Sequence, residues 1–330
     1  MDSKKEFLRR GSYGEETKRI NKEILDVGLV TAINMADLDS VVDLIENKKV
    51  NMKLGGDHKP ALIIASIEGQ IEIAKYLIQQ GADVNVLDDE DNLSPLHHAV
   101  ESGNVDMINL LCRHGAKLDI KGSVDDWTPL HEASQHPRLD ILQLLVKNGA
   151  KFTREKDGMT CLHIATSMGH VENVKFLIEN GNDVNETYGY DGETALILAA
   201  GLAHFDIVKI LVENGAQVNK CTLRYREAPI HIAAGMNNIK MATFLLENGA
   251  DVNATMSNNL TPLDIAEQRT SQNMINLLLQ KGASRFHSAH ARCMKCPSCM
   301  IEEDEEKVQK KNRQRETQQQ QVGELRIHLD

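Results

Sequence analysis

The chain has 330 residues, of which 41% are hydrophobic, 4% aromatic and 26% charged. That supplies a continuous core built from aliphatic side chains rather than rings, which suits closely packed helices better than a sandwich of sheets. The net charge is -11, and residues 24–284 alone hold 21 basic against 35 acidic side chains. Such a body repels phosphate backbones, so nucleic acid is not expected as a partner and partners with basic character are favoured.

From the N-terminus, residues 1–23 form a charged extension with seven Lys/Arg and five Asp/Glu. Met1 to Ile20 is too charged for a signal peptide. Arg9-Arg10-Gly11-Ser12 resembles a site for a basophilic kinase, which makes Ser12 a candidate modification site. No apolar stretch along the chain approaches the ~20 residues that span a bilayer, so no membrane is expected. Cys112, Cys161 and Cys221 lie singly in helix-like segments, and the other three cysteines crowd near the C-terminus. This is no secreted disulfide framework, and it points to a reducing compartment, the cytoplasm with the nucleus as a second location.

From residue 58 the chain repeats itself. PALIIAS (60–66), SPLHHAV (94–100), TPLHEAS (128–134), TCLHIAT (160–166), TALILAA (194–200), APIHIAA (228–234) and TPLDIAE (261–267) are variants of one string, spaced 34, 34, 32, 34, 34 and 33 residues apart. A second marker, the glycine at 81, 115, 149, 181, 215, 249 and 282, keeps the same spacing. Each unit also makes local sense. Thr or Ser caps a helix through its hydroxyl, and Pro95, Pro129, Pro229 and Pro262 take the first helical position, where the missing N–H costs nothing. Gly69, Gly103 and Gly169 break this first helix. A second amphipathic stretch follows, such as Val171 to Ile178, and stops at a glycine suited to a left-handed cap.

The T-P-L-H-x-A string and this period resemble the ankyrin-repeat family. The resemblance covers about residues 59–284 as seven units, and it implies an all-α solenoid of stacked helix-turn-helix units joined by short β-hairpin loops. Residues 24–57 then read as a degenerate end repeat, as expected where one face meets water. Ile63, Ile197 and Asp264 replace the motif histidine, and Pro137, Ala203 and Asn237 replace the inter-helix glycine, so local geometry shifts there. The resemblance also implies that His97, His131, His163 and His231 tie helix starts to neighbouring loops rather than bind metal.

In such arrays the concave face is lined by hairpin residues before the Thr and by the helix residues before the inter-helix glycine. Carried over by position, that face gains an apolar run of Trp127, Met159, Met168, Leu202 and Met236, which reads as a partner groove because exposed apolar patches mark binding surfaces. The hairpin tips add Tyr188, Tyr190 and Tyr225, and Asp88-Asp89-Glu90-Asp91 reads as an acidic tip that steers a basic partner. Asn85, Asn185, Asn219 and Asn253 each follow a Leu eight residues earlier. That pattern resembles ankyrin asparagines hydroxylated by an oxygenase, so they are candidate modification sites as well as turn residues.

Residues 285–330 form a Cys/His-containing, charged tail. His287, His290, Cys293, Cys296 and Cys299 recur every third residue. C-x-x-C with His is a zinc-ligand pattern, but the second distant ligand pair of a closed site is missing. His290, Cys293, Cys296 and Cys299 are weak zinc candidates, and no cofactor is expected elsewhere. The acidic run 302–306, a Lys/Arg-rich stretch and four glutamines argue for disorder or a lone helix. With no glycine-rich phosphate loop, G-x-S-x-G elbow or H-E-x-x-H pair, the chain is expected to be no enzyme. It reads as a monomeric adaptor or scaffold that holds a protein or peptide in its groove. The alternatives are a substrate-recognition subunit of a ubiquitin ligase, and a metal- or redox-responsive regulator acting through the C-terminal cysteines.

Overall fold

A seven-residue helix cannot persist alone in water, and the first helix of each repeat is that short. The arrangement of such helices was read from a computed structural model, which describes residues 26–45, 50–54, 59–123 and 125–284. They fall into two compact units, one ending at Gly215 and one beginning at Ala216. In the first unit, a helical stretch over residues 26–34 (α1) precedes α2 (Leu38–Ile45) and a hairpin of β1 (Lys53–Leu54) and β2 (Lys59–Pro60). Helix pairs follow: α3 (Ala61–Ile67) with α4 (Ile71–Gln79), α5 (Pro95–Glu101) with α6 (Val105–Arg113), and α7 (Pro129–Gln135) with α8 (Leu139–Lys147). Then come α9 (Cys161–Ser167) and α10 (Val171–Glu179), a hairpin of β3 (Thr187–Tyr188) and β4 (Glu193–Thr194), and α11 (Ala195–Gly201) with α12 (Phe205–Glu213). The second unit holds α13 (Pro229–Gly235), α14 (Ile239–Glu247), α15 (Pro262–Gln268) and α16 (Gln272–Gln280).

Within each unit the first helices pack on first helices: α3 on α5, α5 on α7, α7 on α9 and α9 on α11 in one, α13 on α15 in the other. The motif Leu at 62, 96, 130, 162 and 196 is buried in that layer, and Ala99, Ala133, Ala165 and Ala199 allow the close approach. Second helices form the other layer and bury Leu77, Leu111, Leu145, Leu177 and Leu211. The helix-turn-helix units and short hairpins expected from the sequence are present.

The caps work as the residues dictate. The Thr160, Thr194 and Thr261 hydroxyls accept the N–H of His163, Ile197 and Asp264. The glycines that close the second helices, from Gly81 to Gly282, sit at φ 86–99°, the left-handed region. The inter-helix turn needs the same region: Gly69, Gly103 and Gly169 take φ 69°, 70° and 76°, while Ala203, Asn237 and Thr270 are held at 58°, 53° and 53°. Thr270 escaped the sequence reading. Pro137 cannot enter that region, so the chain leaves α7 through an extended His136 at φ -103°, ψ 146°. His170 Nε2 and Asn173 Nδ2 of the next repeat then bond the Gln135 and His136 carbonyls, each at 2.8 Å.

Two ladders of hydrogen bonds join repeat to repeat, and neither was visible in the sequence. At the hairpin tips, Ser123 N–H donates to Asp91 O (2.7 Å), Lys156 N–H to Asp125 O (3.0 Å) and Gly189 N–H to Asp157 O (2.8 Å). At the other edge a turn asparagine bridges to the next helix end. The Asn85 amide donates to Gly115 O at 3.3 Å and accepts Lys117 N–H at 2.7 Å. Asn51 does the same with Gly81 O and Asp83 N–H, and in the second unit Asn219 does so with Gly249 O and Asp251 N–H. Asp119 keeps one such bond, to Lys151 N–H at 2.9 Å. At Thr153 the side chain is too short, and its buried Oγ1 has no hydrogen-bond partner.

Thr153→Asn is therefore expected to complete the ladder and raise stability by about 1 kcal/mol; an unchanged or lower urea midpoint would count against it. Ala203→Gly relieves a left-handed alanine, and after the extra freedom of the unfolded glycine it should gain about 0.5–1 kcal/mol in the same melt. Gly169→Ala should lose stability, because the added Cβ meets the His204 ring at 3.0 Å on a backbone of φ +76°.

Candidate protein-binding surface

The recurring histidines are spent on structure. His131 Nδ1 accepts from Thr128 N–H (3.2 Å) and from its hydroxyl (2.9 Å), and Nε2–H donates to Thr153 O (3.0 Å) in the following loop. His97 joins Ser94 to Trp127 O, His163 joins Thr160 to Glu186 O, and His231 joins Ala228 N–H to Ala254 O. Asp264 takes the near half of this role, accepting Thr261 N–H at 2.8 Å. This geometry requires the neutral ring. Burial holds His97 and His163 down at about 4 and also lowers His131 and His231. Among the described residues no group of three or more His, Cys, Asp or Glu is placed to hold a metal ion.

The residue before each inter-helix turn closes a first helix. In the first unit this position carries Glu68, Ser102, His136, Met168 and Leu202 in turn, and Met168 and Leu202 are 52% and 48% exposed. A Cβ built on the neighbouring Gly201 meets nothing within 4 Å, so the surface beside Leu202 is open. In the second unit Met236 caps α13 and is 47% exposed.

The hairpin aromatics divide. Trp127 is half-buried, its Nε1–H donating to Glu155 Oε2 at 2.6 Å and its ring 6.3 Å from that of His131. Burial raises the Glu155 pKa against this bond. Met159 is half-buried too. Tyr188 packs on His163 with ring centroids 4.9 Å apart, and its hydroxyl donates to Glu193 at 2.6 Å. Tyr190 is fully exposed. In the second unit Tyr225 is exposed beneath Arg224, 5.2 Å from its ring, beside an exposed Leu223 that carried no sequence signal.

The acidic tip needs correction. Asp88 is buried, accepting from His98 Nε2 (3.0 Å) and from the N–H groups of Asp91 and Leu93. Burial alone raises its pKa, but these bonds outweigh it and hold the carboxyl below the usual range. Asp89 pairs with Lys53, and Glu90 lies 3.6 Å from Lys59. Asp88 is thus a hairpin brace rather than a steering charge, because three donors converge on it. It also lines a cavity of about 500 Å³ with Ile67, Leu93, Asp91 and Glu101, at the end of α5.

Asn85, Asn185, Asn219 and Asn253 all donate across to the next glycine carbonyl, at 115, 215, 249 and 282. Cys161 is buried and its thiol pushed up to about 12 by desolvation, which makes it inert. Ser12, His290, Cys293, Cys296 and Cys299 lie outside the described residues, and no described helix is long and apolar enough to cross a membrane.

A family model for ankyrin repeats, three copies long, matches residues 29–122, 80–156, 130–222, 180–256 and 219–287. The chain belongs to the ankyrin-repeat family. Among solved structures it is similar to the ankyrin repeat domain of human ASB11, with 27% identity over 68% of this chain and 98% of that one, at a TM-score of 0.59. It is also similar to the ankyrin repeat domain of Bcl-3, a member of the IkappaB family, with 26% identity over 66% and 97% of the two chains and a TM-score of 0.59. No curated protein matches the chain. Ankyrin repeats are protein-binding modules, so Met168 and Leu202 present apolar surface on a scaffold of the binding class.

The ankyrin histidines make stability pH-dependent. Their folded pKa values lie below the unfolded value of about 6.5, so the unfolded state binds more protons between the two. Stability should therefore be full above about pH 6.5 and fall toward pH 4, where the imidazoles of His97 and His163 charge. Urea melts across that range check the slope; a midpoint rising with acidity would contradict the neutral rings.

Proposed function

We propose that this protein is a non-catalytic adaptor that holds a partner protein against the first-helix face of its first unit. The observation that carries this reading is the pair Met168 and Leu202, two large apolar side chains about half exposed at equivalent positions of adjacent repeats. Side chains of this size left half open to water gain little within the chain from their exposed halves, and adaptable methionine beside leucine suits a binding surface. The scaffold beneath is fixed by the asparagine and histidine ties, so little ordering entropy is lost on binding. Trp127 and Tyr188 support the hairpins from within, and Tyr190 is the exposed aromatic at the rim. Action in a reducing compartment such as the cytoplasm is part of the same reading, supported by Cys112, Cys161 and Cys221, which are free cysteines; monomeric action is proposed with it. The ubiquitin-ligase and metal- or redox-responsive readings depend on residues 285–330, outside the described part.

The test is a double variant, Met168→Ala with Leu202→Ala, in the full-length chain. Truncating two contact side chains costs about 1.4 kcal/mol or more of binding, so partners recovered from cell extract should drop roughly tenfold. The thermal midpoint should fall by only a few degrees, because about half of each side chain is already open to water in the free protein. Undiminished recovery of the same partners rejects this face. Trp127→Ala serves as a contrast: it removes the bond to Glu155 and is expected to lower the midpoint itself.

A further inference from the structure

The same face changes character along the first unit. At the α3–α5 end lies the cavity of about 500 Å³, lined by Ile67 and Leu93 together with the carboxylates of Glu90, Asp91 and Glu101. This volume is within the range that takes a bulky side chain or small ligand. The Asp88 carboxylate inside it is committed to His98 and two backbone N–H groups. Glu101 is not so held: its side chain is 63% exposed, with His98 Nδ1 3.5 Å from its carboxylate. Lys59 is the lysine in the lining, and it faces Glu90. Two and three first helices farther on, at the position equivalent to Ser102 beside this cavity, come Met168 and Leu202.

We propose that this face takes an extended segment of another protein with a Lys or Arg in the cavity beside Glu101 and an apolar side chain on Met168 and Leu202. This deepens the binding reading above and rests on it. Three features fix the chemistry of the occupant. The excess of carboxylates at one end excludes an anionic guest. Ile67 and Leu93 in the lining give the methylene stem of a basic side chain apolar surface to lie on while its charged head meets the carboxylates. The apolar pair at the other end requires a second anchor, which a free metal ion or small cation lacks. The separation follows from packing. Adjacent helices lie about 9 Å apart, so two to three steps cover about 18–27 Å. An extended chain advances about 3.3 Å per residue, which places the cation roughly five to eight residues from the apolar anchor.

The test uses the full-length chain and a displayed peptide library about twelve residues long, part random and part tiled from this chain's own sequence. Peptides selected on the wild type should carry Lys or Arg five to eight residues from Leu, Ile, Phe or Met. On Glu101→Lys the cation preference should vanish while the apolar preference remains. A synthesised winner should bind this variant about tenfold more weakly and lose affinity in high salt, as an unburied ion pair does. An apolar preference without a cation, or a cation preference indifferent to Glu101→Lys, overturns the proposal and leaves the adaptor reading standing. Selection of tiles from this chain as the best binders assigns the face to a second copy or to the chain itself and also overturns it. No selection on the wild type at all overturns both readings. A change in thermal midpoint on Glu101→Lys is excluded first, and Glu101→Gln, which removes charge without adding bulk, must show the same direction.

Discussion

The constraint beneath this structure is that no repeat can bury its own apolar surface. A helix pair of seven and nine residues has two apolar sides, and only another such pair laid alongside covers them. The motif leucines at 62, 96, 130, 162 and 196 are buried because each lies between neighbours rather than inside its own repeat. Burial at this density drives association, but it is non-directional. Apolar packing alone would tolerate a sliding or rotated neighbour.

Direction comes from polar groups at the edges. The neutral histidine reads the start of its own helix with Nδ1 and the following loop with Nε2. The turn asparagine reads the next helix end with both halves of its amide, and the hairpin tips exchange single backbone bonds. Each tie satisfies a backbone group that the turns would otherwise leave orphaned, which is the general requirement on buried polar groups. The same ties explain why residues that look reactive in the sequence are quiet in the structure. The imidazoles cannot be proton carriers near neutrality while both nitrogens are engaged, and Cys161 is a buried thiol.

In the proposed reading, partner binding falls to positions at the ends of the first helices. The identity of the residue before the inter-helix turn varies from repeat to repeat while the stacking is kept. It runs from Glu68, Ser102 and His136 to Met168 and Leu202 without harm to the fold. Rigid packing below and free choice above make a surface whose chemistry can change from acidic to apolar over a few repeats. The left-handed backbone at Ala203, beside Leu202, shows that the turn geometry is held even where glycine is absent.

The sequence by itself determined the repeat, its phase, the caps, the buried leucines and the binding class, because period, N-cap chemistry and glycine stops are local properties that each unit states again. It also placed Met168, Leu202 and Met236 correctly at exposed helix ends, since that position follows from phase. Only the tertiary structure decided which neighbours share side chains. Asp88 reads as one more acid in a run, yet donors from His98 and two backbone amides draw it inside. Trp127 and Tyr188 read as exposed anchors, yet Glu155 and Glu193 accept from them and hold them half within. The asparagine bridges and the orphaned hydroxyl of Thr153 likewise depend on a helix end some thirty residues away in the chain. A linear pattern records what a residue is and how often it returns; whether a polar atom finds a partner is settled only when the next repeat is laid beside it.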